Sequence, residues 1–121
     1  MAMGFSVLVV DDDLAFRGLA TRMIVAMGLE VIAEAGTCAA AEAAAAELRP
    51  DAALVDVGLP DGDGVVLAER LAALPWSPRV VITSSDRDAS SPSAARGVGA
   101  MGFIAKEDLL TGTLRALLVG G

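Results

Sequence analysis

Apolar residues follow two alternating rhythms along this chain, and the alternation predicts its elements. Phe5 to Val10 is a short valine-rich run ending in Asp11-Asp12-Asp13. A continuous apolar run of that length marks a strand buried on both faces. Leu14, Phe16, Leu19, Ala20, Met23, Ile24 and Met27 then recur at helical spacing, and Gly28 supplies a C-terminal stop. Leu29 to Ala35 predicts a second strand, more exposed because Glu30 and Glu34 interrupt it. Thr37 is placed to cap an alanine-rich helix that runs to about Leu48 and stops before Pro50. Asp51 to Val57 holds a third buried strand, 58–64 is a loop of glycines and aspartates, and Val65 to Leu74 is a third helix ended by Pro75. Arg79 to Thr83 is a fourth strand.

The rhythm weakens after that. Asp86 to Val98 carries serines, Pro92 and Gly97, which predict a short, poorly formed helix at most. Met101 to Ala105 is a fifth short strand, and Asp108 or Thr111 is the expected cap of a last helix running to about Val119. Strand and helix thus alternate five times with short connections. Right-handed crossovers and near-continuous apolar strands then predict an α/β fold: a flavodoxin-like, doubly wound, five-stranded parallel sheet in the order 2-1-3-4-5, with helices on both faces.

Composition narrows the function classes. The chain has 121 residues, which fits one domain over 1–121. At 55% hydrophobic and 21% charged it is not a disordered chain. A net charge of -7 argues against direct nucleic-acid binding, which needs a basic face. With no histidine, His-based catalysis, most zinc sites and a phosphohistidine role are excluded. The single cysteine, Cys38, cannot form an internal disulfide and reads as a small packed residue at a helix start. No apolar run approaches the roughly 20 residues of a membrane span, and no signal-peptide pattern opens the chain, so a soluble, cytoplasmic protein is expected.

The chemistry lies at the strand ends, where open α/β sheets bind their ligands. Strand one is followed by Asp11, Asp12 and Asp13; strand three ends in Asp56, strand four in Thr83; strand five is followed by Lys106, the only lysine in the chain. Strand order 2-1-3-4-5 brings these ends into one crevice. Crowded carboxylates call for a bound cation, and an all-oxygen donor set selects a hard one, Mg²⁺. Phosphoryl transfer needs a nucleophile and charge neutralisation on the equatorial oxygens. Asp56 as nucleophile, Mg²⁺ on Asp11 or Asp12, Lys106 as second cation and the Thr83 hydroxyl as donor would supply them.

Four segments together carry a resemblance: Val9-Val10-Asp11-Asp12; Leu54-Val55-Asp56 through Gly64; Val81-Ile82-Thr83-Ser84; and Gly99 through Lys106. In that order and spacing, over essentially the whole chain, they resemble the receiver domain of two-component response regulators. The resemblance implies phosphotransfer from a histidine kinase to Asp56. It implies Mg²⁺ held by Asp12 directly, by Asp11 partly through water, by Asp56 and by the backbone carbonyl of Gly58. It matches Thr83 and Phe103 to the hydroxyl and aromatic pair that move on activation, although Phe103 lacks the hydroxyl that would reward one orientation. It also implies a surface of the fourth helix, fifth strand and fifth helix that changes on phosphorylation and is a candidate homodimer face. Many receivers carry a proline directly after the lysine; here Glu107 follows. That ending resembles receivers that precede a helix-turn-helix DNA-binding domain.

The remaining residues have plainer readings. Asp13 is expected to cap the first helix, Asp61 and Asp63 to serve turns and a helix cap, and Trp76 to pack a loop. Ser84 belongs either to the phosphate site or to an ordinary loop. Two other functions compete with the switch. A Mg²⁺-dependent phosphatase with an aspartyl nucleophile would place threonine where Ala15 stands and would need a cap domain. A phosphorylation-independent interaction module would not need the chemical residues present here.

Overall fold

The structure, a computed structural model, describes residues 4–120. Its main sheet has five strands: β1 (Ser6–Val10), β2 (Glu30–Ala35), β3 (Ala52–Asp56), β4 (Arg79–Ser84) and β5 (Gly102–Ala105). They lie in the order β2-β1-β3-β4-β5, every pairing parallel, as the alternation predicts. The helices are α1 (Leu14–Ala26), α2 (Cys38–Leu48), α3 (Gly64–Ala72), α4 (Pro92–Gly97) and α5 (Thr113–Val119). A 3₁₀ helix, Lys106–Thr111, follows β5. No helix among the described residues is long and apolar enough to cross a membrane.

The period-two geometry of a strand sorts the apolar residues into two cores. Val7, Val9, Leu54 and Val81 face α1 and α5, meeting Ile24, Leu114 and Leu118. Leu8, Val10, Val55 and Ile82 face the other side and meet Ala41, Leu67 and Ala95 of α2, α3 and α4. All five residues of β1 and of β3 are buried, whereas β2 is an edge strand exposed at Glu30 and Glu34. Each fully buried Val or Leu contributes about 1.5–3 kcal/mol, so the central strands are the anchored part of the molecule.

Capping fixes where the helices start. Asp13 accepts from the amides of Ala15 and Phe16 at 3.0 and 3.4 Å, as expected. Thr37 caps α2 through the Ala40 amide, Asp63 caps α3 through Val65, and Ser91 caps α4 through Ala94. Asp61 serves a helix from outside it: its carboxylate accepts from the Cys38 and Ala39 amides at 2.7 and 3.1 Å, a second cap on α2. Its loop is more ordered than expected, with an antiparallel pairing of Gly58–Leu59 with Gly62–Asp63. Trp76 packs a loop as expected, its indole donating to the Pro50 carbonyl at 3.0 Å beneath the Arg49 guanidinium.

The chain departs from expectation after β5. α5 begins at Thr113, preceded by Gly112 at φ 89° with no side-chain cap. Asp108, expected as a cap of the last helix, lies inside the 3₁₀ helix, and its carboxylate pairs with the Arg87 guanidinium at 3.1 Å. The Thr111 side chain lies outside what the structure describes. α4 has only six residues, in keeping with its serines and Gly97.

Candidate functional site

Three carboxylates converge at the carboxyl ends of β1 and β3. One oxygen each from Asp11, Asp12 and Asp56 lies within 4.8 Å of the others. Asp11 (1% exposed) and Asp56 (6%) are buried, while Asp12 is exposed. Asp11 sits one residue past β1, its amide bonded to the Ala35 carbonyl, and its Oδ1 accepts from the Asp13 amide at 2.9 Å. Asp56 is the last residue of β3, in register with Thr83 of β4.

Lys106 is the first residue after β5, and its ammonium reaches back over the sheet. Nζ stands 2.7 Å from Asp11 Oδ2 and 3.7 Å from Asp56 Oδ1, with the side chain 16% exposed. The contact to Asp11 is an ion pair without hydrogen-bond alignment, so that buried oxygen accepts no hydrogen bond. Nζ also lies 4.1 Å from the centroid of the Phe16 ring. Burial first, then the Asp11 carboxylate, pushes the Asp56 carboxyl up to about 6; Lys106 and the Gly58 amide oppose that shift. Such a group is stabilised most by a cation placed among the carboxylates. An all-oxygen donor set, with a buried oxygen that is ion-paired to Lys106 but accepts no hydrogen bond, fits a hard divalent ion.

Thr83 is buried, and its hydroxyl donates to the Ile104 carbonyl of β5 at 2.6 Å. It therefore points across the sheet rather than into the carboxylate cluster. Ser84 accepts from the Asp86 amide at 3.1 Å, which is the loop role. Phe103 is partly exposed and lines an open groove of about 630 Å³ with Arg87, Ser91, Pro92, Asp108 and Thr113. That groove lies on the α4–β5–α5 side, and Asp56 is not among its walls.

A family model described as the response regulator receiver domain matches residues 7–115. The chain belongs to that family. DevR/DosR of Mycobacterium tuberculosis, a DNA-binding transcriptional activator, is 36% identical over 101 residues, which cover 83% of this chain and 46% of that protein. The receiver domain of NarL from Mycobacterium tuberculosis superposes with a TM-score of 0.83 at 30% identity, covering 97% of this chain and 95% of that one. The BeF₃-activated receiver domain of RstA from Klebsiella pneumoniae gives 0.78 at 26% identity, covering 94% and 98%. The chain spans about half the length, or less, of the first curated relatives it matches. As a receiver it is a regulatory domain, and receivers hold Mg²⁺ at an acidic pocket such as this one.

The predicted residues Asp11, Asp12, Asp56 and Lys106 are brought together; Thr83 borders them with its hydroxyl turned away, and Phe103 lies on a separate surface. Three contributors escape a reading by strand ends. Arg17 ties the cluster's floor, donating from Nη1 to the Asp11 carbonyl at 3.1 Å and from Nε to Glu34 at 3.0 Å. Gly64 lets α3 approach Asp56: a Cβ there would stand 1.9 Å from the Asp56 carbonyl oxygen. Phe16 supplies the ring beneath Lys106. Arg17 and Phe16 sit within two turns of the acidic run, the one signal that could have drawn attention to them.

Proposed function

We propose that residues 1–121 act as one cytoplasmic receiver unit in which Asp56 accepts a phosphoryl group from a sensor histidine kinase. The observation that carries this reading is a buried carboxylate, Asp56, flanked by two further carboxylates and by the chain's single lysine. The Asp56 oxygen attacks phosphorus in line. Its P–O bond forms as the bond to the donor breaks, and the electron pair leaves with the donor's imidazole nitrogen or, for a small donor, with acetate. Lys106 neutralises charge on an equatorial oxygen. Asp11, Asp12, Asp56 and the Gly58 carbonyl would hold Mg²⁺, which would supply further charge neutralisation for the transfer. The chain catalyses only its own phosphorylation and dephosphorylation.

Thr83 is the proposed relay. Turning its hydroxyl toward a phosphoryl oxygen breaks the 2.6 Å bond to Ile104 and frees a carbonyl of β5. The loss is felt next to Phe103 and along the α4–β5–α5 face, where the proposed readout and homodimer contacts lie. The kinship with DevR/DosR supports an output in transcription through a DNA-binding domain of the whole protein. Acetyl phosphate with Mg²⁺, read by intact mass, tests the chemistry. An adduct that needs both Mg²⁺ and Asp56, and is absent in Asp56→Asn, is the expected result. No adduct, with no beryllofluoride binding either, would move the reading to a phosphorylation-independent interaction module.

A further inference from the structure

Lys106 has three partners, and they differ in what happens to them when the site fills. Two are carboxylates, Asp11 Oδ2 at 2.7 Å and Asp56 Oδ1 at 3.7 Å. Both are groups that a cation and a phosphoryl group would claim. The third is the Phe16 ring, whose face lies 4.1 Å from Nζ. An aromatic face attracts an ammonium through its quadrupole and offers no lone pair for a cation to take. It is the one partner whose own chemistry stays constant through the reaction.

We infer that Phe16 is a positioning residue: its ring is the fixed seat that holds the Lys106 ammonium over Asp56 while the two carboxylates change partners. The local fold is consistent with this. Asp13 caps α1 and accepts from the Phe16 amide, so the helix start is anchored beside the acidic run. Phe16 lies in the first turn, partly buried against the core that holds Ile104 and Leu109, the residues flanking the Lys106 connection. The ring is thus fixed at its own end by a capped helix and by packing. A long lysine stem crossing it loses rotamer freedom before any phosphoryl group arrives, a form of preorganisation.

The inference rests on the proposed role of Lys106 at the phosphoryl group, and the test separates the two. Phe16→Leu keeps an apolar side chain and removes the quadrupole; Phe16→Trp keeps an aromatic face. The probe is beryllofluoride with Mg²⁺, beside Mg²⁺ alone, and the structural readout is the proton shift of the Lys106 ε-methylene, which lies under the ring current. Wild type and Phe16→Trp should bind beryllofluoride with an upfield methylene shift. Phe16→Leu should lose the shift and bind beryllofluoride about three- to tenfold more weakly, the span of a partly desolvated cation–π contact. Its affinity for Mg²⁺ alone should stay within about twofold of wild type, because the ring offers no lone pair to a metal ion, and an unchanged value verifies a folded site. Equal beryllofluoride affinity in Phe16→Leu and wild type, or a methylene shift that ignores the substitution, would overturn the seat and leave the phosphoryl chemistry standing. Failure of the wild type itself to bind would overturn both.

Discussion

The two halves of the sheet's carboxyl edge are built differently. Around Asp11 and Asp56 the strands are buried along their whole length, and the flanking helices, α1 and α3, run 13 and 9 residues. α3 is seated so closely that only a glycine fits at its first residue. Around Thr83 and Lys106 the helix is six residues long, and the connection after β5 is a 3₁₀ helix. The loop between β4 and α4 is tied down by an exposed arginine, Arg87, bonded to Glu107 and Asp108. The proposed phosphoryl chemistry, which needs fixed distances, falls on the first half. The proposed readout, which needs two states of similar energy, falls on the second, where exposed ion pairs hold the loops and each is worth about 0–1 kcal/mol. A receiver in this form couples a rigid acceptor to a surface that small forces can rearrange.

One substitution with opposite sign in the two halves would break that comparison most sharply. Gly64→Ala places a Cβ 1.9 Å from the Asp56 carbonyl oxygen and 2.7 Å from Val57 Cα, so backbone must move. A loss of about 3 kcal/mol or more is expected, since overpacking against backbone cannot be relieved by a rotamer change. Gly97→Ala, on α4, meets nothing within 4 Å and needs no left-handed backbone. It should stabilise by about 0.5–1 kcal/mol, the ordinary gain of alanine over glycine in a helix. Denaturant unfolding of the two variants decides the matter; equal effects would erase the distinction between the halves.

The acceptor half has a titration of its own. Asp56 in the folded, metal-free chain is raised from 3.8 to about 6. A raised folded value means that the native state keeps a proton the unfolded chain has lost. The contribution of this group to stability is therefore fully present below about pH 4 and is lost as pH rises through about 6. Above that pH the ionised carboxylate opposes folding, and Asp56→Asn should stabilise the metal-free protein by about 3 kcal/mol at pH 7.5. The advantage should vanish near pH 4 and shrink when Mg²⁺ is added to the wild type at pH 7.5. Thermal unfolding with and without chelator reads all three conditions. A variant destabilised to the same extent at both pH values would show that burial of Asp56 carries no electrostatic cost.

How legible each half was in the sequence follows from the same contrast. Unbroken apolar runs such as Val7-Leu8-Val9-Val10 and Ala53-Leu54-Val55 announce buried strands, and in a parallel sheet the next polar residue must fall at the ligand edge. Asp11, Asp56 and Lys106 were therefore readable as a cluster. Asp61 was readable as a polar turn residue, but nothing local says that its carboxylate caps α2, because that contact spans 23 positions. Asp108 looked like a cap for the same reason that it became an ion-pair partner, a carboxylate ahead of a helix; only the fold brings Arg87 within 3.1 Å. Phe16 fits the helical period of α1, and the face of its ring toward Lys106 leaves no trace in that spacing.

Arg87 provides the gentlest test of the readout half. Its Nη2 lies 2.8 Å from Glu107 Oε1 and 3.1 Å from Asp108 Oδ2, and its Nε donates to Glu107 at 3.0 Å. The contact joins the loop after Thr83 to the segment after Lys106, which begins with Glu107. The guanidinium side chain is 54% exposed, so its removal in Arg87→Ala should change global stability by less than about 1 kcal/mol. Its effect should appear locally, as faster amide exchange over 85–91, because the loop loses its tie while the buried strands keep theirs. Salt should imitate the mutation. Raising ionic strength toward about 1 M shortens the screening length to about 3 Å, which should speed exchange of the same amides in the wild type and change little in Arg87→Ala. If wild-type exchange there ignores both salt and the substitution, the loop is held by packing rather than by charge. The readout half would then be as firmly built as the acceptor half, and the energy for its rearrangement would have to come from the phosphoryl group alone.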